Sequence, residues 1–364
     1  MLIWTANIRL PIENIESSLP SVLLSRRVEK TSVVINKKIW YLCGFFLGFF
    51  ADVEDYKYII QFAILDTVNF TISKHYIELR GGMMLNQVAS EGDYLYILFK
   101  RRKYRLLKFD TKTMNIIDEY DIDATCITGS IHIRNNILYF RDDEFFNKFD
   151  LVRRDLARSR LVTSVNIHTI MRNNDGLYFV SLNTGKREVF KKLLGDHFSQ
   201  DAWMKNYDEY IDKEWGLEVK YEKVVSVLTN HTMITPVCKR DNRTDEIYRS
   251  ELVVDTYDFR KRKWHREIAE DFYKYSRDVK VVTVEHFEDK LYVFTVETEG
   301  PFEIIVRVFD MKPTLTDICL SSVVRQILED PETAAAVGRQ LSAHLRNTIE
   351  ELVNFRLPDF SFSI

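Results

Sequence analysis

The side chains best equipped for covalent chemistry in this chain are eight histidines, four cysteines and a scatter of acids. A metal hydrolase needs histidines at helical spacing, as in H-x-x-x-H or H-E-x-x-H, so that two imidazoles meet one ion. His75, His132, His168, His197, His231, His265, His286 and His344 form no such pair. An activated serine would stand in G-x-S-x-G, and a phosphate cradle in G-x-x-x-x-G-K-S/T or G-x-G-x-x-G; the sequence has none of these. Arg80-Gly81-Gly82-Met83 follows an extended run and reads as a turn. Asp142-Asp143-Glu144 and Asp208-Glu209 are local acid clusters, which read as solvated loop charges unless a pocket gathers them. The sequence therefore predicts a non-catalytic protein with no cofactor and no metal.

Cys43, Cys126, Cys238 and Cys319 stand far apart without paired metal spacing, which predicts reduced thiols in a cytoplasmic or nuclear protein. Cys319 also belongs to a pattern suited to recognition. After Lys312-Pro313, Thr314 can cap a helix, and Asp317 three residues on places an acid at its positive end. Leu315, Ile318, Cys319, Ser322 and Val323 then fall at i, i+3, i+4, i+7 and i+8, on one narrow face with a small thiol at its centre. Such a face can enter another protein's groove. It can equally dock on its own domain, with Cys319 as an ordinary buried thiol.

Thr314-Leu315-x-x-x-Cys319-x-x-x-Val323 resembles the elongin BC box that opens the SOCS-box and VHL-box tails of ubiquitin-ligase substrate receptors. The resemblance implies that Thr314, Leu315, Ile318, Cys319, Leu320 and Val323 contact elongin C, with elongin B bound alongside. Glu329-Asp330-Pro331-Glu332 then predicts a turn into a second helix. Along that helix Ala335, Val337, Leu341, Leu345, Ile349 and Leu352 are apolar at helical spacing. This order is similar to the VHL-type tail. Leu357, Pro358 and Phe360 stand where a cullin-selecting element would lie. Phe360 departs from the Pro of the cullin-5 form; the match to the cullin-2 form is partial and more distant from the cysteine than usual, so cullin-2 is favoured over cullin-5.

The elements that must carry such a tail are strands. From Thr31 to Met311 a turn with Asn, Asp or Gly recurs before an apolar-aromatic run, at Asn36-Lys37, Gly92-Asp93, Asn135-Asn136, Asn173 to Gly176, near Asn230, and at Glu288-Asp289. A second signature follows most copies: Leu65-Asp66, Phe109-Asp110, Phe149-Asp150, Tyr257-Asp258 and Phe309-Asp310, with Val189-Phe190 lacking the acid. A spacing of roughly forty to sixty residues is that of four-stranded propeller blades. Residues 1–311 are thus expected to form a mainly β propeller of about six blades. Thr256-Tyr257 to Trp264 resembles the late Tyr and Trp of kelch repeats, although the kelch Gly-Gly is absent from most copies. The strand Leu2 to Leu10 is expected to complete the short last blade and remove an open edge. Residues 199–216, with Trp203, Tyr207, Tyr210, Ile211 and Trp215 before Gly216, read as a helical insertion.

Fifty-one basic against 54 acidic residues give a charge of −3, which leaves no global nucleic-acid footprint. The basic runs Arg101-Arg102-Lys103 and Lys261-Arg262-Lys263 read as loops between strands. The apolar run Ile39 to Ala51 is too short for a membrane helix, and the start of the chain is unlike a signal peptide. Residues 1–311 would bind a client and residues 312–364 would bind elongin. A propeller-sized domain with a SOCS-type tail is similar to a nematode receptor for CCCH zinc-finger proteins. That likeness would make an acidic loop such as Asp142-Asp143-Glu144 a contact for basic fingers. The alternative is a propeller scaffold for protein or RNA, capped by its C-terminal helices.

Overall fold

The repeated turns fold the chain into antiparallel meanders. Asn36 and Lys37 both take positive φ (51° and 59°), as do Asn135 and Asn136 (53° and 57°), the backbone of the tight hairpin turn that matches strand twist. Gly92 and Glu288 take positive φ at the same place in their own hairpins. The computed structural model describes residues 3–10, 31–47, 57–80, 84–100, 103–142, 145–160, 167–173, 176–183, 186–193, 203–204, 210–211, 226–229, 232–241, 249–258, 261, 263–272, 279–297, 304–312, 323 and 349.

The described strands pair into six sheets. The first holds β2 (Ser32–Ile35), β3 (Lys38–Leu47), β4 (Lys57–Asp66) and β5 (Ile72–Arg80). The second holds β6 (Met84–Glu91), β7 (Tyr94–Lys100), β8 (Tyr104–Asp110) and β9 (Asn115–Ile122), and the third β10 (Ile127–Arg134), β11 (Ile137–Asp142), β12 (Phe145–Asp150) and β13 (Asp155–Arg160). The fourth is irregular: β14 (Ile167–Asn173), β15 (Gly176–Asn183) and β16 (Lys186–Leu193) are followed by the two-residue strands β17 (Trp203–Met204) and β18 (Tyr210–Ile211), both paired to β16. The fifth holds β19 (Val227–Leu228), β20 (Thr232–Asp241), β21 (Arg249–Asp258) and β22 (Lys263–Phe272). In the last, β23 (Val279–Phe287), β24 (Lys290–Glu297) and β25 (Ile304–Asp310) are joined by β1 (Ile3–Leu10). As expected from the sequence, the N-terminal strand supplies the outer strand of the final blade, with Ile3 opposite Asp310 and Leu10 opposite Ile304.

The first strands of successive sheets pack on one another from β2 through β6, β10, β14, β19 and β23, and β23 returns to β2, so the sheets close into a ring. This stacking explains why the second strand of a blade is apolar on both faces. In β7, Leu95, Ile97 and Phe99 join a core with Trp40, Phe62 and Leu42 of the first blade, while Tyr96 and Leu98 pack with Ile133, Leu138 and Phe140 of the third. Burial of each such large side chain contributes about 1.5–3 kcal/mol. The outer strand β9 instead alternates, with Tyr120 and Ile122 buried and Glu119 and Asp121 exposed.

The aromatic-Asp signature is a turn device. Asp66 Oδ1 accepts from the N–H groups of Val68 and Asn69 (2.9 and 3.3 Å), Asp110 from Lys112 and Thr113 (2.8 and 3.4 Å), and Asp150 from Val152 and Arg153 (2.9 and 3.0 Å). Asp258 and Asp310 receive Lys261 and Lys312 N–H in the same way (3.0 and 2.8 Å). An acceptor that follows its own backbone this closely holds the chain in a turn. Asp110→Ala is expected to lower unfolding stability by about 1 kcal/mol, whereas Asp110→Asn, which keeps Oδ1, loses less. Urea unfolding of the two variants checks this, and equal losses would contradict it.

Two sequence expectations are corrected here. Within 199–216 the described residues are strand: Trp203 lies opposite Lys192 and Tyr210 opposite Arg187. The partly helical aromatic spacing gives way to pairing, because β16 would otherwise present an open edge. Asp142 is not a surface acid; it is 6% exposed and accepts hydrogen bonds from Thr125 N, Thr125 Oγ1 and Cys126 N. Its carboxylate secures the entry to β10, while Asp143 and Glu144 lie outside the described residues.

Candidate interaction surface

In a four-stranded meander the first and third hairpins turn on the same face, so both repeated signatures meet there. Thr67 N–H donates to Lys37 O (3.1 Å), Thr111 to Asp93 O (3.1 Å), Leu151 to Asn136 O (2.9 Å) and Met311 to Asp289 O (2.8 Å). Adjacent blades are also tied across this face. Asn36 Nδ2 donates to Asp93 Oδ1 (2.6 Å) and Glu91 accepts from Asn135 and Asn136 N–H, while within the second blade Lys112 Nζ pairs with Asp93 Oδ2 (2.5 Å). The hydrogen bond from Asn36 and the pairing with Lys112 hold the Asp93 carboxyl below the usual carboxylate range.

Two valines break the polar character of these tips. Val68 is 72% exposed and Val152 75%, each two residues after its turn aspartate, where Lys112 and Lys312 stand in other blades. Phe70 is also exposed beside Val68. A hydrogen-bonded face with a few exposed apolar tips can support protein contact.

The C-terminal segment leaves from the same face. Lys312 Nζ reaches Asp289 Oδ1 at 2.8 Å, and its own N–H is held by Asp310. Of the expected elongin-contacting residues, Val323 is described: it is helical and half-buried. Thr314, Leu315, Ile318, Cys319 and Leu320, together with Leu357, Pro358 and Phe360, lie outside the described residues. Ile349 is helical and 1% exposed.

Beneath the surface the seams hold buried polar groups. Ser32 Oγ donates to Glu285 Oε1 at 2.7 Å and lies 2.8 Å from Thr283 Oγ1, linking β2 to β23. Gln87 Oε1 accepts from Ile131 N–H (2.6 Å), Tyr58 Oη from Leu85 N–H (2.9 Å) and Tyr104 Oη from Ile127 N–H (2.9 Å), each across a blade boundary. Ser32 and Glu285 are buried, so this serine–carboxylate contact secures the ring and is closed to a substrate. Burial pushes the Cys43 thiol up to about 12, which suppresses the nucleophilic thiolate. These seam contacts were not anticipated, although Gly44 inside an apolar strand was a signal of close approach.

Titration follows from the same geometry. Burial lowers the pKa of half-buried His286, outweighing the opposing pull of Asp289. A base with a depressed folded pKa binds fewer protons when folded, so stability falls as pH drops below about 6.5. Asp118, lowered chiefly by its hydrogen bond with Tyr120, and Asp150, lowered by Arg153 N–H, act in the same sense in a more acidic window. Their contribution is present above the unfolded value and is lost as pH falls through the folded one, below about 4. Urea midpoints between pH 7.5 and 5.5 are expected to fall, and His286→Gln to flatten that slope. An unchanged slope in the variant would reject the assignment to His286.

No family model and no curated protein matches the chain. Among solved structures it is similar to the WD40 repeats of RRP9, at 8% identity and a TM-score of 0.50, covering 85% of this chain and 100% of that one. It is also similar to the WD40 domain of Pan2 from Neurospora crassa, at 7% identity and a TM-score of 0.43, covering 86% and 96% of the two chains. The ring is a mainly β, WD40-like propeller. The turn aspartates Asp66, Asp110 and Asp150 close the third strands of their blades, and the kelch Gly-Gly doublet is absent from most copies. The likeness is one of fold.

Proposed function

We propose that this protein is a non-catalytic substrate receptor: the propeller binds a client protein, and the C-terminal segment recruits elongin C and B with a cullin, cullin-2 ahead of cullin-5. The reading is carried by one juxtaposition. A closed, rigid ring ends at Asp310 and Lys312, anchored at Asp289, and the next residues are the Thr314-Leu315-x-x-x-Cys319-x-x-x-Val323 stripe. Half-burial of helical Val323 is compatible with a face that still has surface to give a partner. No bond is made or broken by this chain. It raises the local concentration of client lysines near a ubiquitin-loaded enzyme, in the cytoplasm or nucleus. The client is a protein; CCCH zinc-finger proteins are the class implied by the receptor resemblance, without buried Asp142 as a contact.

A second reading has its own support. Ile349 is covered to 1% exposure in a chain without a partner, so this chain's own atoms bury it. That suits a scaffold whose C-terminal helices act as a structural cap. The test uses the full-length chain and purified elongin B–C complex. The receptor reading expects retention of the complex by the native chain and a loss of at least about tenfold in Leu315→Ser/Cys319→Phe, with an unchanged thermal melt of the propeller. Failure of the folded native chain to retain elongin B–C would move the assignment to the capped scaffold.

A further inference from the structure

We draw no further inference here: the strongest candidate, the exposed tips Val68, Phe70 and Val152 on the turn face of the first and third blades, carries none because nothing in the structure shows what covers them.

Discussion

Gly44→Ala is expected to destabilise the protein by about 4 kcal/mol. A Cβ at this position would lie 1.7 Å from Tyr58 Oη and 2.3 Å from Cζ, well inside van der Waals contact. The ring cannot step aside cheaply. It packs edge-on against Phe99 at 6.3 Å, and its hydroxyl receives Leu85 N–H from the second blade. Overpacking of this kind costs about 1–3 kcal/mol, and leaving a buried N–H without its acceptor adds about 1–3 kcal/mol. Against a total stability of about 5–15 kcal/mol, the loss is large enough to populate unfolded chains. Urea unfolding of Gly44→Ala, Tyr58→Phe, Tyr58→Ala and Gly44→Ala/Tyr58→Ala separates the terms. Tyr58→Phe removes the hydroxyl alone, while the double variant relieves the clash and should cost less than the two single alanine changes added together. A Gly44→Ala protein within about 0.5 kcal/mol of the native one would refute this account of the seam.

Arg266→Met is expected to cost about 3–5 kcal/mol at neutral pH. Arg266 meets Asp255 across β21 and β22 through two hydrogen bonds, Nε to Oδ1 at 2.7 Å and Nη2 to Oδ2 at 3.0 Å. The side-chain exposures differ, 2% for Asp255 and 17% for Arg266, so removal of the arginine takes a charged partner from the more deeply buried group. Asp255→Leu is the milder change, because Arg266 retains a route to water. The double variant Asp255→Leu/Arg266→Met should recover most of the loss, since apolar replacement of a buried ion pair is often neutral. A double variant no more stable than Arg266→Met would show that packing, and not the broken ion pair, sets the loss.

The blades were legible because two local rules recur with each copy. Positive-φ turn residues such as Asn135-Asn136 and side-chain acceptors such as Asp110 act within a few residues of themselves, so the sequence carries them openly. Closure by β1 was also readable, from the short final copy and the lone N-terminal strand. Tertiary pairing was less visible. Trp203 and Tyr210 carry aromatic spacing that suits a helix, yet the unpaired edge of β16 recruits them as strands. Asp142 belongs to a run of acids that looks solvated, and only the fold brings Thr125 and Cys126 to it. The Thr314–Val323 stripe is a sequence observation, and its residues other than Val323 fall outside the described part of the chain.

The pairing of Ile3 with Asp310 has a mechanical consequence. In an antiparallel pair the start of β1 and the end of β25 sit together, so tension between the N-terminal residues and the C-terminal segment acts across the strands rather than along them. The hydrogen bonds are then loaded one after another, from Ile3–Asp310 inward to Leu10–Ile304, as a zipper opens. A seam that closes the ring against thermal opening thus yields readily to a pull applied at its own two ends.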